Sequence, residues 1–192
     1  MTRLIPYASL DPAPWKNGGG STTEIAIWPP DAGIDNFEWR ISLATISQSG
    51  PFSIFPGIDR TLALVSGPGV MLDLNGQERV LLCEEEPVIE FDGEADVVAT
   101  IGDGDTTDFN IMTRRACCEH QLGRRVLSGL SEFSPRGDTT IMFLAEGDSL
   151  SISCDSERLG LVRYDAVVFE PGTVWKLETG QATVLVIDIF NH

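Results

Sequence analysis

Cations are scarce in this chain. Its 192 residues include 13 Lys and Arg against 29 Asp and Glu, a formal net charge of −16. A surface so poor in basic groups excludes nucleic acid as a partner, because phosphate binding needs concentrated positive charge. It excludes an anionic membrane surface for the same reason. Histidine is scarcer still, with His120 and the terminal His192 the only two, which argues against zinc. The four cysteines, Cys83, Cys117, Cys118 and Cys154, show no C-x-x-C spacing and read as reduced thiols. No apolar run is long enough for a transmembrane helix. The first fifteen residues lack the apolar centre of a secretory signal. These absences predict a cytoplasmic protein. Helical periodicity is missing too, since no ten-residue stretch repeats its apolar residues every 3.6 positions.

What the chain does have is apolar content, 42% with 19 glycines besides, enough for a packed core rather than disorder. The length suits one domain or two small fused ones. Apolar residues recur with a period near two. Residues 38–46 (EWRISLATI) place Trp39, Ile41 and Leu43 on one face and Arg40, Ser42 and Ala44 on the other. Further β-rich runs cover residues 24–28, 61–66, 70–74, 87–91, 95–101, 139–144, 149–153, 166–169, 174–177 and 183–189, most of them separated by Gly, Pro, Asp or Asn. Such spacing predicts an all-β sandwich or small barrel. Residues 88–104 and 167–180 echo one another as strand, acidic glycine turn, strand and glycine turn. The echo fits a duplicated barrel or one large sandwich. Residues 123–137 (GRRVLSGLSEFSPRG) are the least strand-like and read as a loop or linker.

Three segments carry unusual residues. Residues 15–25 read WKNGGGSTTEI. Consecutive glycines before a strand cost backbone entropy, which suits either a hairpin connection or a close approach to the backbone. They form no phosphate loop, because no GK[ST] follows and a strand comes next. Residues 50–60 read GPFSIFPGIDR, an aromatic, proline-rigid loop that either plugs a barrel end or orders a cavity wall and presents Arg60. Residues 108–115 read DFNIMTRR. With eleven Arg and only Lys16 and Lys176 as lysines, Arg40 on an otherwise apolar and small-residue strand needs an acceptor. Glu24 on a nearby strand is one candidate, and a bound carboxylate gripped by the guanidinium fork is another.

Together, WKNGGGSTTEI, residues 37–67 (FEWRISLATISQSGPFSIFPGIDRTLALVSG), the FDG at 91–93 and DFNIMTRR resemble the HutD/Ves family of bacterial proteins. The likeness is clear over residues 1–115 and looser beyond. It implies an all-β, cupin-like double β-barrel (a bicupin of jelly-roll type). Residues 1–115 would form the barrel carrying the motifs and residues 116–192 a degenerate second barrel. It implies a regulatory or binding role in histidine breakdown, with N-formylglutamate as the suggested ligand. Metal-dependent cupins place a histidine where this chain has Trp175, and Asp96 falls at the corresponding place in the first half. With no H-x-H anywhere, the two-histidine, one-carboxylate ligand set is lacking. Neither a metal nor another cofactor is expected.

The expectation is therefore a metal-independent protein that binds a small carboxylate. Lys16, Arg40 and Arg60 would meet the anion, Asn17 and Ser42 would hydrogen-bond it, Trp15 and Phe52 would wall it, and Glu24 would sit beside Arg40. The overall charge repels anions at long range, so the local cations must prevail within a screening length of ~8 Å. One alternative is a metal-free isomerase or hydrolase with Glu24 as base beside Arg40. No nucleophile–base pair is visible for it, and Cys117, Cys118 and His120 are weak candidates for a thiol mechanism. Another alternative is a structural or interaction protein, such as a homodimer through barrel edge strands.

Overall fold

The computed structural model describes residues 2–192, which form two compact units: residues 11–118, and residues 2–10 together with Glu119–His192. In chain order, β1 (Arg3–Ile5) comes first. The next strands are β2 (Pro12–Pro14), β3 (Gly20–Trp28), β4 (Trp39–Ile46), β5 (Gly50–Pro51) and β6 (Ile58–Ser66). Then follow β7 (Val70–Leu74), β8 (Glu78–Leu82), β9 (Val88–Asp92), β10 (Val97–Ile101) and β11 (Thr106–Arg114). The second unit adds β12 (Cys118–Phe133), β13 (Thr139–Glu146), β14 (Ser149–Cys154), β15 (Glu157–Val162), β16 (Ala166–Phe169) and β17 (Trp175–Asn191). There is no α-helix among the described residues, so none is long and apolar enough to cross a membrane.

Two expectations need correction. Residues 2–10 do not join the first barrel, because β1 pairs with β16, Leu4 lying opposite Val167, and the Tyr7 amide donates to Asp165 Oδ1 at 2.8 Å. Residues 123–133 are not a loop. They belong to the sixteen-residue β12, which pairs with β17. Exposed side chains such as Val126 and Leu130 hide the strand from a hydrophobic reading, but its backbone is held by the ladder.

The first unit packs a six-stranded sheet, ordered β2-β3-β4-β11-β6-β9, against a four-stranded one, β5-β10-β7-β8. The core between them joins Ile46 and Leu62 to Val70, Leu72, Leu74, Leu82, Val97 and Ala99. Ile46 shares its face of β4 with Ala44, Ser42 and Arg40, and Leu62 shares its face of β6 with Arg60. The barrel interior is thus apolar along part of its length and polar further along the same strands. Trp39, Ile41 and Leu43, on the other face of β4, are buried as well.

In the second unit β13 lies between β16 and β17, with β14 and β15 continuing the sheet beyond β17. Its interior is filled. Phe133, Phe169 and Trp175 follow one another at ring-centroid distances of 4.9 and 5.5 Å, among Met142, Leu150, Val167 and Val184. Trp175, at the position where the cupin comparison looks for a metal-binding histidine, is part of this packed core.

One polar cluster ties this unit together. Asp188, 1% exposed, accepts from Thr140 Oγ1 at 2.7 Å, from Arg136 Nε and Nη2 at 2.9 and 2.7 Å, and from the Gly137 amide at 3.3 Å. Burial alone pushes the Asp188 carboxyl up, but the hydrogen bonds from Thr140 and Arg136 outweigh it and hold the group below its ordinary value. Asp188→Ala strands these donors, and we expect it to cost about 3 kcal/mol in urea unfolding. A depressed folded value means that the stabilisation is complete above the ordinary carboxylate range and is lost as pH falls through the folded value. The gap between wild type and Asp188→Ala should therefore shrink on acidification. An acid-insensitive gap would count against the assignment.

Candidate functional site

A cavity of about 540 Å³ opens at the polar part of the first barrel. Its walls come from three places, each shaped by a segment that stands out in the sequence.

The first wall is the turn between β2 and β3. The Trp15 amide donates to the Gly20 carbonyl (2.9 Å), the Gly18 amide to the Trp15 carbonyl (3.0 Å), and the Gly19 amide to Asn17 Oδ1 (3.0 Å). Gly18 takes φ +72°, where a side chain would be strained. The run is therefore a hairpin connection. It is also a close approach, because a Cβ on Gly20 would overlap the Thr45 carbonyl oxygen and lie 3.0 Å from the Trp15 ring. Trp15 lies over Gly20 and fixes its own orientation by donating Nε1 to Thr22 Oγ1 at 2.8 Å. Trp15, Lys16, Asn17 and Thr22 all line the cavity. Asn17 thus serves the turn with its carbonyl as well as facing the opening.

The second wall is the segment at residues 50–60, a loop between β5 and β6 that leads into Arg60 on β6. Phe52 and Phe55 are pinned by their amides, which donate to the carbonyls of Val97 (2.8 Å) and Gly93 (2.7 Å). The Arg60 guanidinium lies over the rings of Phe52, Phe55 and Phe91, at 5.3, 5.6 and 5.0 Å from their centroids. Arg60 is 6% exposed. Its Nη1 reaches the Ser53 carbonyl at 3.4 Å, and its Nε has no hydrogen-bond partner among the described residues. Burial pushes Arg60 down to about 10, Asp108 pulls it back up, and Arg40 pushes it further down. It remains a cation at neutral pH.

The third wall is the β4–β11–β6 face. Met112 stands between Arg40 and Arg60, Asn110 between Ser42 and Leu62, and Asp108 between Ala44 and Leu64. Two arginines therefore share one row across the sheet, with polar side chains in the rows that follow. Asp108 is 2% exposed, and burial between Ala44 and Leu64 raises its carboxyl to about 7, with Arg60 opposing the rise. Ser42 Oγ, Asp108 Oδ1 and Asn110 Oδ1 are buried without a partner among the described residues.

Seven of the eight residues expected at the site line this cavity: Trp15, Lys16, Asn17, Arg40, Ser42, Phe52 and Arg60. Glu24 is not on its wall. It is 44% exposed at the side chain and accepts from Arg40 Nε at 2.8 Å, which leaves the terminal nitrogens of Arg40 for other partners. Sequence reasoning missed Asp108, Asn110 and Met112, although DFNIMTRR was noticed. Its signal is the alternation of polar Asp108 and Asn110 with apolar Phe109 and Ile111. The paired arginines of that motif point elsewhere. Arg114 donates to the carbonyls of Phe37 and Asp35, and Arg115 to Asp59 and Glu94.

Two β-barrels in one chain, the first enclosing a polar cavity, define a cupin-like protein. Salicylate 1,2-dioxygenase from Pseudoaminobacter salicylatoxidans shares this fold at a TM-score of 0.65 and 9% identity, over 97% of this chain and 80% of that one. The chain belongs to the HutD family, whose model matches residues 7–187. It is 37% identical over 134 residues to Protein Ves of Citrobacter koseri, covering 69% of this chain and 67% of that protein. It is 33% identical over 165 residues to an uncharacterised 21.2 kDa protein of the hutC 3′ region of Pseudomonas putida, covering 82% of this chain and 80% of that one. The structure of HutD from Pseudomonas fluorescens SBW25 superposes at a TM-score of 0.83 with 26% identity over the whole of both chains.

Proposed function

We propose that the first barrel binds a small carboxylate and that the protein acts as a metal-independent sensor or modulator of histidine breakdown. The observation that carries this reading is the set of unsatisfied polar atoms around one cavity. Ser42, Arg60, Asp108 and Asn110 each bury an unpartnered polar atom there. Buried polar groups in folded proteins are otherwise nearly always paired, so an orphaned set carried by residues that line one cavity points to something that fills it. Arg60 and Arg40 supply charge in a partly desolvated setting where an anion is held more strongly than in water. Trp15, Phe52 and Phe55 supply the apolar walls. The link to histidine breakdown rests on the family and on the relative from the hutC region, and N-formylglutamate is the ligand it suggests.

Thermal shift with N-formylglutamate, glutamate, urocanate and imidazolone propionate tests the reading. A ligand at 100 times its Kd adds about 2.7 kcal/mol, a rise of about 5–10 °C in Tm for a chain of this size. We expect such a rise with N-formylglutamate. No rise with any of the four at millimolar concentration would overturn the proposal. The enzymatic alternative loses Glu24 as its base, since that carboxylate lies off the cavity wall on Arg40. Asp108 takes its place there, a buried carboxyl whose value near 7 suits proton transfer. Turnover of a probe that stops on Asp108→Asn would favour that reading.

A further inference from the structure

The cavity offers more than cations. Its donors are the terminal nitrogens of Arg40, Nε of Arg60 and the ammonium of Lys16. Its acceptors are Asp108 Oδ1 and Asn110 Oδ1, side by side on β11, with the Ser42 hydroxyl opposite Asn110 on β4. The row Arg40–Met112–Arg60 lies one residue pair, about 7 Å, from the row of Ser42 and Asn110. A plain carboxylate satisfies the arginines and leaves these acceptors empty. It also brings negative charge toward Asp108, which only Arg60 offsets.

We propose that Asp108 and Asn110 form a second subsite that requires a hydrogen-bond donor, so that the ligand is a small acid bearing an N–H group. This rests on the carboxylate reading above and narrows it. The subsite works with Asp108 ionised or neutral, since either form keeps an acceptor oxygen. A site built around buried acceptors discriminates by penalty: an analogue lacking the donor leaves those oxygens dehydrated and unpaired. Glu24 cannot serve the same purpose, because it lies off the cavity wall and its Oε2 already accepts from Arg40.

The experiment is isothermal titration of the full chain with N-formylglutamate, with its ester analogue 2-formyloxyglutarate, in which oxygen replaces the N–H, and with glutarate. We expect the amide to bind about 10- to 100-fold more tightly than the ester or the bare diacid. Asp108→Leu replaces a buried carboxyl, one of whose oxygens is unpartnered, by an apolar side chain of similar size, a change the fold should tolerate. In that variant the preference for the amide should fall to within about threefold. Asn110→Leu should lower it too and serves if Asp108→Leu does not fold. Equal affinities for amide and ester in the wild type, or a preference undiminished in both variants, would overturn the inference and leave the carboxylate site standing. Failure of all three probes to bind the wild type would overturn both.

Discussion

Arg60→Met should leave the chain folded and, on the proposed carboxylate reading, weaken N-formylglutamate binding by at least about 100-fold, close to 2.7 kcal/mol. The guanidinium is the most deeply buried cation facing the cavity, held over three phenylalanine rings and with Nε unpartnered. A charge-assisted bond to a carboxylate in such a setting is among the stronger single contacts a binding site offers. The fold survives because what is removed is a desolvated charge, not an ion pair. Methionine keeps the volume, and its thioether packs well on the Phe52, Phe55 and Phe91 rings. Asp108 loses the opposing charge of Arg60 and is held in its neutral form more firmly than before. Arg60→Lys provides the control. It keeps a positive charge but not the planar fork or the stacking, and a loss of about tenfold is expected. Titration calorimetry reads both variants, and circular dichroism and urea unfolding confirm their folding. Unchanged affinity in Arg60→Met would remove the cavity from consideration as the anion site.

The barrels were legible because their strands announce themselves twice, by alternation and by glycine or proline turns. Residues 70–74 and 166–169 were bounded correctly for that reason. At two strands the side chains do not advertise the strand. In β12 the apolar alternation is too weak to signal a strand, because few of its residues are buried. In β11 both faces are buried, but one of them faces a polar cavity and carries Asp108 and Asn110. A search for apolar alternation therefore passes over the strand that bears the least expected part of the site. Lys16, Arg40 and Arg60 were accessible by a different logic: in a chain with few cations, a guanidinium on a core-facing strand has to answer to an anion. That logic named two acceptors for Arg40, and the structure places Glu24 on its Nε without using its terminal nitrogens. Asp108 escaped notice because a buried acid in a chain of 29 acidic residues has no compositional contrast.

The three glycines of residues 18–20 are identical in sequence and unequal in structure, so alanine substitution should rank them. Gly20→Ala should cost about 3 kcal/mol or more, because the added methyl meets the Thr45 backbone carbonyl and the Trp15 ring together. Neither neighbour yields cheaply. The carbonyl belongs to β4, paired with β3 from Gly20 onward, and Trp15 is tied to Thr22 by its indole nitrogen. Relief requires either opening the start of the β3–β4 ladder or expelling Trp15 from the cavity wall. On the proposed carboxylate reading, either route also lowers affinity for the bound acid. Gly18→Ala meets open space but forces alanine into φ +72°, a penalty of about 1 kcal/mol. Gly19→Ala has normal backbone freedom and only the Asn17 side chain nearby, at 3.3 Å, so a change within about 0.5 kcal/mol is expected. Urea midpoints for the three variants give the order Gly20, Gly18, Gly19 from most to least damaging. If Gly20→Ala proved as mild as Gly19→Ala, the run would be a permissive linker, and the placement of Trp15 as a rigid wall of the site would fall with it.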